Sequence, residues 1–334
     1  MSIFKKQGLG IDLGTVNTII YLRDKGIFLK EPTLLAIDRE SQEILAFGRE
    51  AEALIGRSNM DQIEIIRPIK DGVIHNFTLT KELLAHFLSN FIKKSFRKPE
   101  VVICIPSTIS KVERQAVVEV IRDLGVQKAS IVEEPFAAAI GSDLAINQAK
   151  GRMIVDIGGG TTDIATISYN DIVDKLTIRA AGNRMDEAIQ TYIRNQYQLV
   201  ISIETARKLK EEIGNAQYSE VDKDDQLLID GLTIIDSKPK HQLIRAEIVA
   251  LALDEVIQEI VTAIKQVLQV TPPEMMVDLM DGGVLLSGGA SLLKRLPERL
   301  SDEIGLTFDL VSAPIDAVAI GAGRLVDHLE TIKD

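Results

Sequence analysis

One cysteine, Cys104, stands among 334 residues, so no internal disulfide can form. It lies in the apolar run VVICIP, where it reads as a buried, inert thiol. The four histidines are scattered without ligand spacing, which argues against a zinc site. No stretch approaches eighteen consecutive apolar residues, so no membrane-spanning helix is predicted. The opening MSIFKKQGLG has a basic pair with no apolar run behind it, which predicts no secretory leader. Positive charge is the minority, with 38 Lys and Arg against 49 Asp and Glu. The net charge of −11 argues against general nucleic-acid binding and leaves room only for a local basic patch. There is no low-complexity segment or long linker, so any domain boundary lies within folded structure. No G-x-x-x-x-G-K-[ST] occurs, which excludes a P-loop. In GGGTTD the place of a third dinucleotide-fold glycine is taken by Asp163, which weakens that reading.

What is present is a length suited to two domains and an ordinary apolar content of 46 %. Two short stretches resemble each other, GLGIDLGTVNT near the N-terminus and VDIGGGTTDIA in mid-chain. Asp12 and Asp156 occupy matching places, as do Gly14 and Gly158, Asn17 and Thr161, and Thr18 and Thr162. A single Gly-rich turn is weak evidence. Two at matched register predict two related lobes presenting the same kind of turn.

Residues 9–22 read as a hairpin of two strands buried on both faces. Short strands follow over 27–47. Thr80 is the expected N-cap of a helix bearing Leu83, Leu84, Phe87, Leu88 and Phe91 on one face. VVICIP is a buried strand, followed by a helix from about Ser110 to Leu124 with Gly125 as C-cap. SIVEEP is another strand, and Pro135 opens a helix. The second half repeats the plan: strands in RMIVDI, ATISY and KLTIRA, and helices over 185–196, 205–213 and 248–270. Pro272 and Pro273 stop the last of these. GVLLSGG is a strand entering a Gly turn, 291–304 is expected as one helix, and a final helix begins near Asp316. Strands and helices alternate throughout, which sets the class as α/β.

A tight turn between buried strands aims its backbone N–H groups outward, and Gly permits the close approach. Such a nest binds anions, phosphate above all. Asp12 and Asp156 open the two turns, and carboxylates beside phosphate require a cation such as partly hydrated Mg²⁺. The bland alternative is a pair of ordinary hairpins with convenient glycines. LLSGGASLL supplies a third Gly-rich turn, which could lie against a base or ribose.

The order of five segments resembles the actin-like ATPase superfamily of sugar kinases, heat-shock chaperones and actins. GIDLGTVNT and VDIGGGTTDIA look like its two phosphate motifs, IVEEPFAAAIGS and PIDAVAIGAG its connecting helices, and LLSGGASLL its adenosine motif. Through GTVNT, KGIFLKEPTLLAID, IRPIKDGVI, VERQAV and GNRMDEAI the chain resembles the MreB family of bacterial actins more closely still. The resemblance covers essentially the whole chain and is poorest over 215–245. It implies an actin-like, ribonuclease H-like duplicated fold, with two lobes that each carry a mixed sheet flanked by helices and a nucleotide cleft between them. Lobe I is expected over 1–140, with a small subdomain at about 31–72. Lobe II is expected over 141–310, with a small subdomain at about 182–245, and 311–334 returns to lobe I.

The function so implied is ATP binding and hydrolysis with Mg²⁺, polymerisation into double filaments, and a contribution to cell shape. The implied location is cytoplasmic and peripheral on the anionic inner membrane. Implied partners are further copies of the chain, paralogues and cell-shape membrane proteins, with no nucleic acid. Thr15, Val16 and Asn17 would cradle phosphates from one lobe, and Gly158, Gly159 and Gly160 from the other. Asp12 and Asp156 would hold Mg²⁺ through water. Glu134 matches the residue that orients the attacking water, with Thr161 as its partner; on the residues alone, Glu134 reads equally well as a favourable charge at a helix N-terminus. Gly182, Arg207, Lys210, Gly288, Gly289, Ala290 and Ser291 would line the rest of the nucleotide site.

Three positions depart from the family pattern. Ala181-Gly182-Asn183 replaces Gly-Gly-Asp, and Ala290 replaces a glycine, adding a Cβ beside the expected base. Arg207 replaces a Glu, and a guanidinium cannot accept a ribose hydroxyl proton. A co-assembling scaffold with weak turnover, or a small-molecule kinase on the same fold, are the competing readings. For the membrane, FIKKSFRKP offers Phe96 with Lys93, Lys94, Arg97 and Lys98, and the N-terminus offers Ile3 and Phe4. Each cation near an anionic surface is worth about 1 kcal/mol at most. The competing reading is a solvated charged end to a helix whose Phe91 belongs to the core.

Overall fold

The computed structural model describes residues 8–56, 61–92, 98–107, 109–126 and 128–328. The chain divides into two compact units, Met1–Ile146 with Ile315–Asp334, and Asn147–Pro314.

The first unit opens with β1 (Gly8–Leu13), β2 (Asn17–Leu22) and β3 (Gly26–Pro32). A smaller layer follows: β4 (Leu35–Asp38), β5 (Ile44–Phe47), the short helix α1 (Gly48–Glu52) and β6 (Ile63–Ile66). Next come β7 (Ile69–Lys70), β8 (Val73–Ile74) and α2 (Phe77–Ile92). The unit's first stretch closes with β9 (Glu100–Ile105), α3 (Lys111–Asp123), β10 (Lys128–Glu133) and α4 (Glu134–Gly141). The main sheet has the order β10-β9-β1-β2-β3, antiparallel from β1 through β3 and parallel from β1 through β10.

Local chemistry explains the helix boundaries. Ser110 caps α3 in a reciprocal box: its Oγ accepts the Glu113 N–H at 3.2 Å, and Glu113 Oε2 accepts the Ser110 N–H at 2.8 Å. Gly125 ends the helix at φ +82°. The start of α2 differs from the sequence expectation. Asn76, not Thr80, is the cap, because its short side-chain carbonyl reaches the Leu79 N–H at 3.0 Å. Thr80 lies buried inside the first turns and returns its hydroxyl to the Asn76 carbonyl. Leu83, Leu84, Phe87, Leu88 and Phe91 are all buried, so Phe91 does belong to the core.

The second unit repeats the plan. β11 (Arg152–Ile157), β12 (Thr162–Ser168) and β13 (Asp171–Ile178) lead to α5 (Gly182–Tyr197), β14 (Leu199–Val200) and α6 (Ile203–Ile213). A hairpin of β15 (Gln226–Thr233) and β16 (Pro239–Arg245) joins β14 in a small sheet. It was not legible in the sequence because exposed Leu228 faces exposed Leu243 across the strands, which blurs the alternation. The long α7 (Ala246–Val270) buries one stripe, including Val249, Leu253, Val256, Ile260, Ile264 and Val267. Pro273 then opens a further helix, α8 (Pro273–Gly282), that the sequence reading omitted.

β17 (Val284–Ser287), α9 (Leu296–Ile304) and β18 (Phe308–Leu310) complete the unit. The sheet order β13-β12-β11-β17-β18 has the same pattern of directions as the first. The expected single helix over 291–304 is broken. Gly289–Leu292 forms a 3₁₀ turn, and Arg295 sits at φ +60° before α9. Pro297 is the cause: it has no N–H, its ring would clash with a preceding turn, and so it is accepted only at a helix start.

The chain returns to the first unit in α10 (Ala317–Leu325). α4 and α10 cross on small residues. A Cβ built on Gly321 would stand 1.8 Å from the Ala137 carbonyl oxygen, and one on Gly141 would stand 1.9 Å from that of Ala317. The Ala-rich EEPFAAAIGS and the Gly-spaced PIDAVAIGAG are therefore two sides of one backbone-to-backbone seam.

Candidate functional site

Each unit presents a turn between its first two strands, and each turn is preceded by an aspartate one residue before the end of the first strand. In the first unit Asp12 pairs with Ile19 on β2 and Cys104 on β9. In the second Asp156 pairs with Asp163 on β12 and Ser287 on β17. The turns are alike in detail. A Cβ on Gly14 would meet the carbonyl oxygen of Asn17 at 2.7 Å, and one on Gly158 would meet that of Thr161 at 3.3 Å.

The first turn is braced from its own unit. Thr33 donates its hydroxyl to the Gly14 carbonyl at 2.8 Å and its N–H to Val16 O at 2.8 Å. Thr15 Oγ1 accepts the Gly72 N–H at 3.0 Å. In the second turn Gly158 N–H donates to Thr161 O, while the carbonyls of Gly158 and Gly159 accept the N–H groups of Gly182 and Asn183 at 3.1 and 2.8 Å. The carbonyls are thus turned inward. Among the described residues, the N–H groups of Thr15 and Val16, and of Gly159 and Gly160, have no hydrogen-bond partner. Donors left unpaired beside Gly are the makings of an anion nest.

Asp156 is buried, at 5 % exposure, and accepts one bond from Ser287 Oγ at 2.5 Å. Burial pushes its carboxyl up to about 7; the Ser287 hydrogen bond opposes this and the Asp163 charge adds to it. Near neutral pH such a carboxyl is poised between its two forms, and a nearby cation would favour the ionised one. Among the described residues no group of three or more His, Cys, Asp or Glu side chains could hold a metal directly. The donor set suits an ion that keeps most of its water, as Mg²⁺ does, rather than a dehydrated one.

In the second unit the structure gathers most of the expected nucleotide residues. Lys210 Nζ donates to the Gly182 carbonyl at 2.9 Å and pairs with Asp186 Oδ1 at 2.5 Å. Arg207 Nε donates to Asp186 Oδ2 at 3.1 Å. Asp186 is wholly buried, so one carboxylate on α5 holds two cations from α6. The sequence reading passed over Asp186 inside GNRMDEAI. The signal was available: an acidic residue four positions after Gly182, on the helix face shared with buried Met185 and Ile189.

The third turn depends on Gly288, at φ +84°, where a Cβ would stand 2.2 Å from the Ile157 carbonyl oxygen. Gly289 and Ala290 open the 3₁₀ turn. Ser291 donates its hydroxyl to Gly288 O at 2.6 Å. The Ala290 methyl is buried and lies 3.5 Å from where a Cβ of Gly182 would stand, so the two positions share one small space.

Glu134, in the first unit, is the first residue of α4 and is 7 % exposed. Thr161, in the second, is equally buried at the end of its turn. Of the expected membrane residues, Lys98 is exposed. Phe96, Lys93, Lys94, Arg97, Ile3 and Phe4 lie outside the described residues. No described helix is long and apolar enough to cross a membrane.

A family model described as MreB/Mbl protein matches residues 6–334. The chain belongs to the MreB/Mbl family. The cell shape-determining protein Mbl of Bacillus subtilis (strain 168) is 40 % identical over 331 residues, covering 98 % of this chain and 97 % of that protein. Among solved structures, MreB5 of Spiroplasma citri bound to ADP superposes with a TM-score of 0.93 at 30 % identity, covering 98 % of both chains. A MamK double helical filament matches with a TM-score of 0.82 at 22 % identity, over 97 % of this chain and 99 % of that one; that likeness is one of fold. The actin-like fold of the MreB/Mbl family is therefore the fold of this chain, and its two mixed sheets are the family's two sheets.

Proposed function

We propose that this chain is a nucleotide-dependent, filament-forming protein of the MreB/Mbl family that contributes to cell-shape maintenance and hydrolyses ATP. The observation that carries the reading is the repeated turn: unpaired backbone donors beside glycine, with an aspartate at the same strand position, in both units. Relatives named for cell shape, a relative bound to ADP and a fold neighbour in a filament support it.

In this reading Thr15, Val16, Gly159 and Gly160 bind phosphate oxygens through backbone N–H groups already oriented for them, with Asn17 closing the first turn; Gly158, expected as a further donor, gives its N–H to the Thr161 carbonyl and shapes the second turn instead. Asp12 and Asp156 are the carboxylates that would hold Mg²⁺, through water. The ion, when bound, neutralises phosphate charge. Lys210, fixed by Asp186 and Gly182, adds positive charge beside the second turn. Glu134 orients the attacking water, and Thr161 is the second residue assigned to that step. Phosphoryl transfer needs such placement more than a strong base. Assembly is with further copies of the chain as double filaments, on the cytoplasmic face of an anionic membrane, with Phe96, Lys93, Lys94, Arg97, Lys98, Ile3 and Phe4 as the contacts.

The test is sedimentation with and without ATP and anionic liposomes, run beside phosphate release, for wild type and Glu134→Ala. Wild type pellets with ATP and releases phosphate; the variant pellets and releases phosphate about 100-fold more slowly. Failure of wild type to bind ATP overturns the reading. Unchanged phosphate release by the variant removes Glu134 from its role.

A further inference from the structure

The first unit holds a pocket of about 520 Å³ that shares no residue with the Gly-rich turns. It lies where the smaller layer meets the main one. β3 contributes Leu29 and Glu31, which are two residues apart and so on one face. β5, α1 and the residue after it contribute Phe47, Arg49, Glu50 and Ala53, and α2 contributes His86 and Phe87. Gly48 lets the layers come this close: it sits at φ +54°, and a Cβ there would stand 2.6 Å from Glu31 Oε2 and 3.3 Å from Phe87 Cε1. The apolar part of the lining is Leu29, Phe47, Ala53 and Phe87, and the His86 ring stacks on Phe47 with centroids 4.1 Å apart. Around it stand charges of both signs with bonding capacity left over. Glu31 Oε2 accepts the Arg49 N–H at 2.8 Å, while Oε1 lies 3.7 Å from Arg49 Nη2, beyond hydrogen-bond reach. Arg49 Nη2 donates to the Lys30 carbonyl at 3.1 Å, and among the described residues its Nε and Nη1 have no partner. The Glu50 carboxylate has none either.

We propose that this pocket binds a free α-amino acid with an apolar side chain of the size of leucine or phenylalanine. A partly apolar pocket of this size with a few convergent polar groups is the general form of a small-molecule site. The apolar side chain covers Leu29, Phe47 and Phe87 and removes their surface from water. The ammonium meets Glu31 Oε1 and the Glu50 carboxylate, which can only accept. The carboxylate meets the donors left on Arg49 in a charge-assisted bond. Opposite charges held close together on one apolar body are what such an amino acid carries. An amine alone leaves Arg49 unmet. A carboxylate alone faces two acidic side chains against one guanidinium, so it is the worse of the two halves. The walls come from β3 and α2 on one side and from α1 on the other, so the bound amino acid ties the smaller layer to the main one. The proposal is independent of the nucleotide reading.

The experiment is a ligand-observed NMR titration of the full chain with L-phenylalanine, L-leucine, glycine, 2-phenylethylamine and 3-phenylpropionate. Wild type binds L-phenylalanine and L-leucine with a Kd on the order of 1 mM, as ligands of this size allow. 2-Phenylethylamine binds about five-fold more weakly for want of the bond to Arg49, and 3-phenylpropionate about ten-fold more weakly for want of the ammonium. Glycine, which keeps both charges and has no side chain to bury, is also weaker by about ten-fold. Arg49→Gln removes the advantage of L-phenylalanine over 2-phenylethylamine, and Glu50→Gln removes most of the penalty on 3-phenylpropionate. Arg49 is 72 % exposed and Glu50 is exposed, so both variants keep the wild-type thermal melt. Should one of them melt early, the other decides. No saturable binding of L-phenylalanine by wild type up to about 10 mM, or probe preferences unchanged in both variants, overturns the proposal. Neither result touches phosphate release, so the nucleotide reading stands or falls separately.

Discussion

Gly321→Ala is the sharpest test of how packing in the first unit serves the proposed chemistry. The added methyl would stand 1.8 Å from the Ala137 carbonyl oxygen, where contact between carbon and oxygen needs about 3.3 Å. The obstacle is helix backbone, which cannot swing aside as a side chain does. α4 and α10 must therefore part by about 1.5 Å or slide. Overpacking of this kind costs about 3 kcal/mol at its upper end. Alanine returns about 1 kcal/mol of helix propensity over glycine. The net is a loss of about 2 kcal/mol, read as a fall of about 1 M in the urea midpoint at a slope of about 2 kcal/mol per M. α4 also carries Glu134 at its first position, so phosphate release should fall with the displacement. Gly125→Ala is the control: its glycine is at φ +82° with nothing within 4 Å of an added Cβ, so it costs only the backbone strain, about 1 kcal/mol, and leaves phosphate release alone. If Gly321→Ala unfolds at the wild-type midpoint with wild-type turnover, the seam is not close-packed and the reasoning fails.

Two further predictions concern charge. The Asp156 carboxyl titrates higher in the folded protein than in the unfolded chain, so without metal its contribution is fully present below about pH 4 and is lost as pH rises to about 7. Asp156→Asn should remove that slope and raise the stability of the metal-free protein at pH 8 by on the order of 2 kcal/mol, while weakening Mg²⁺-nucleotide binding; thermal melts across the pH range check the first and titration the second. The Asp222 carboxyl runs the other way. The Lys294 hydrogen bond is the largest cause holding it near 2, with Ser219 adding to it against the cost of burial. Its stabilisation is present above about pH 4 and is lost as pH falls toward 2. Because Lys294 is half exposed and screened, Asp222→Asn should cost only about 1 kcal/mol at pH 7 and flatten acid unfolding between pH 4 and 2, as urea titrations at stepped pH would show.

The sequence by itself determined the class, the repeat and the two Gly-rich turns. Those features are local: strand–Gly turn–strand is written in adjacent residues, and matching Asp12 with Asp156 needs only a second copy of the pattern. The boundaries of α3 were legible for the same reason, since Ser110, Glu113 and Gly125 act within a turn of themselves. The N-cap of α2 was not, because Asn76 and Thr80 are both chemically suitable and packing chose which one faces the orphan N–H. The break before α9 was legible in principle through Pro297 and was missed.

Tertiary structure alone decided what depends on residues far apart in sequence. It put Ser287 on Asp156, buried both, and so set when that carboxylate ionises. It revealed the glycines of α4 and α10 as a contact between backbones, which no count of small residues can tell from mere permissiveness. It also changed the meaning of Arg207. In the sequence that residue is a lost acceptor; in the fold it is half of a cation pair on a buried aspartate. Charge type is a property of the residue, but where a charge is spent is fixed by its neighbours, and those are chosen only when the chain folds.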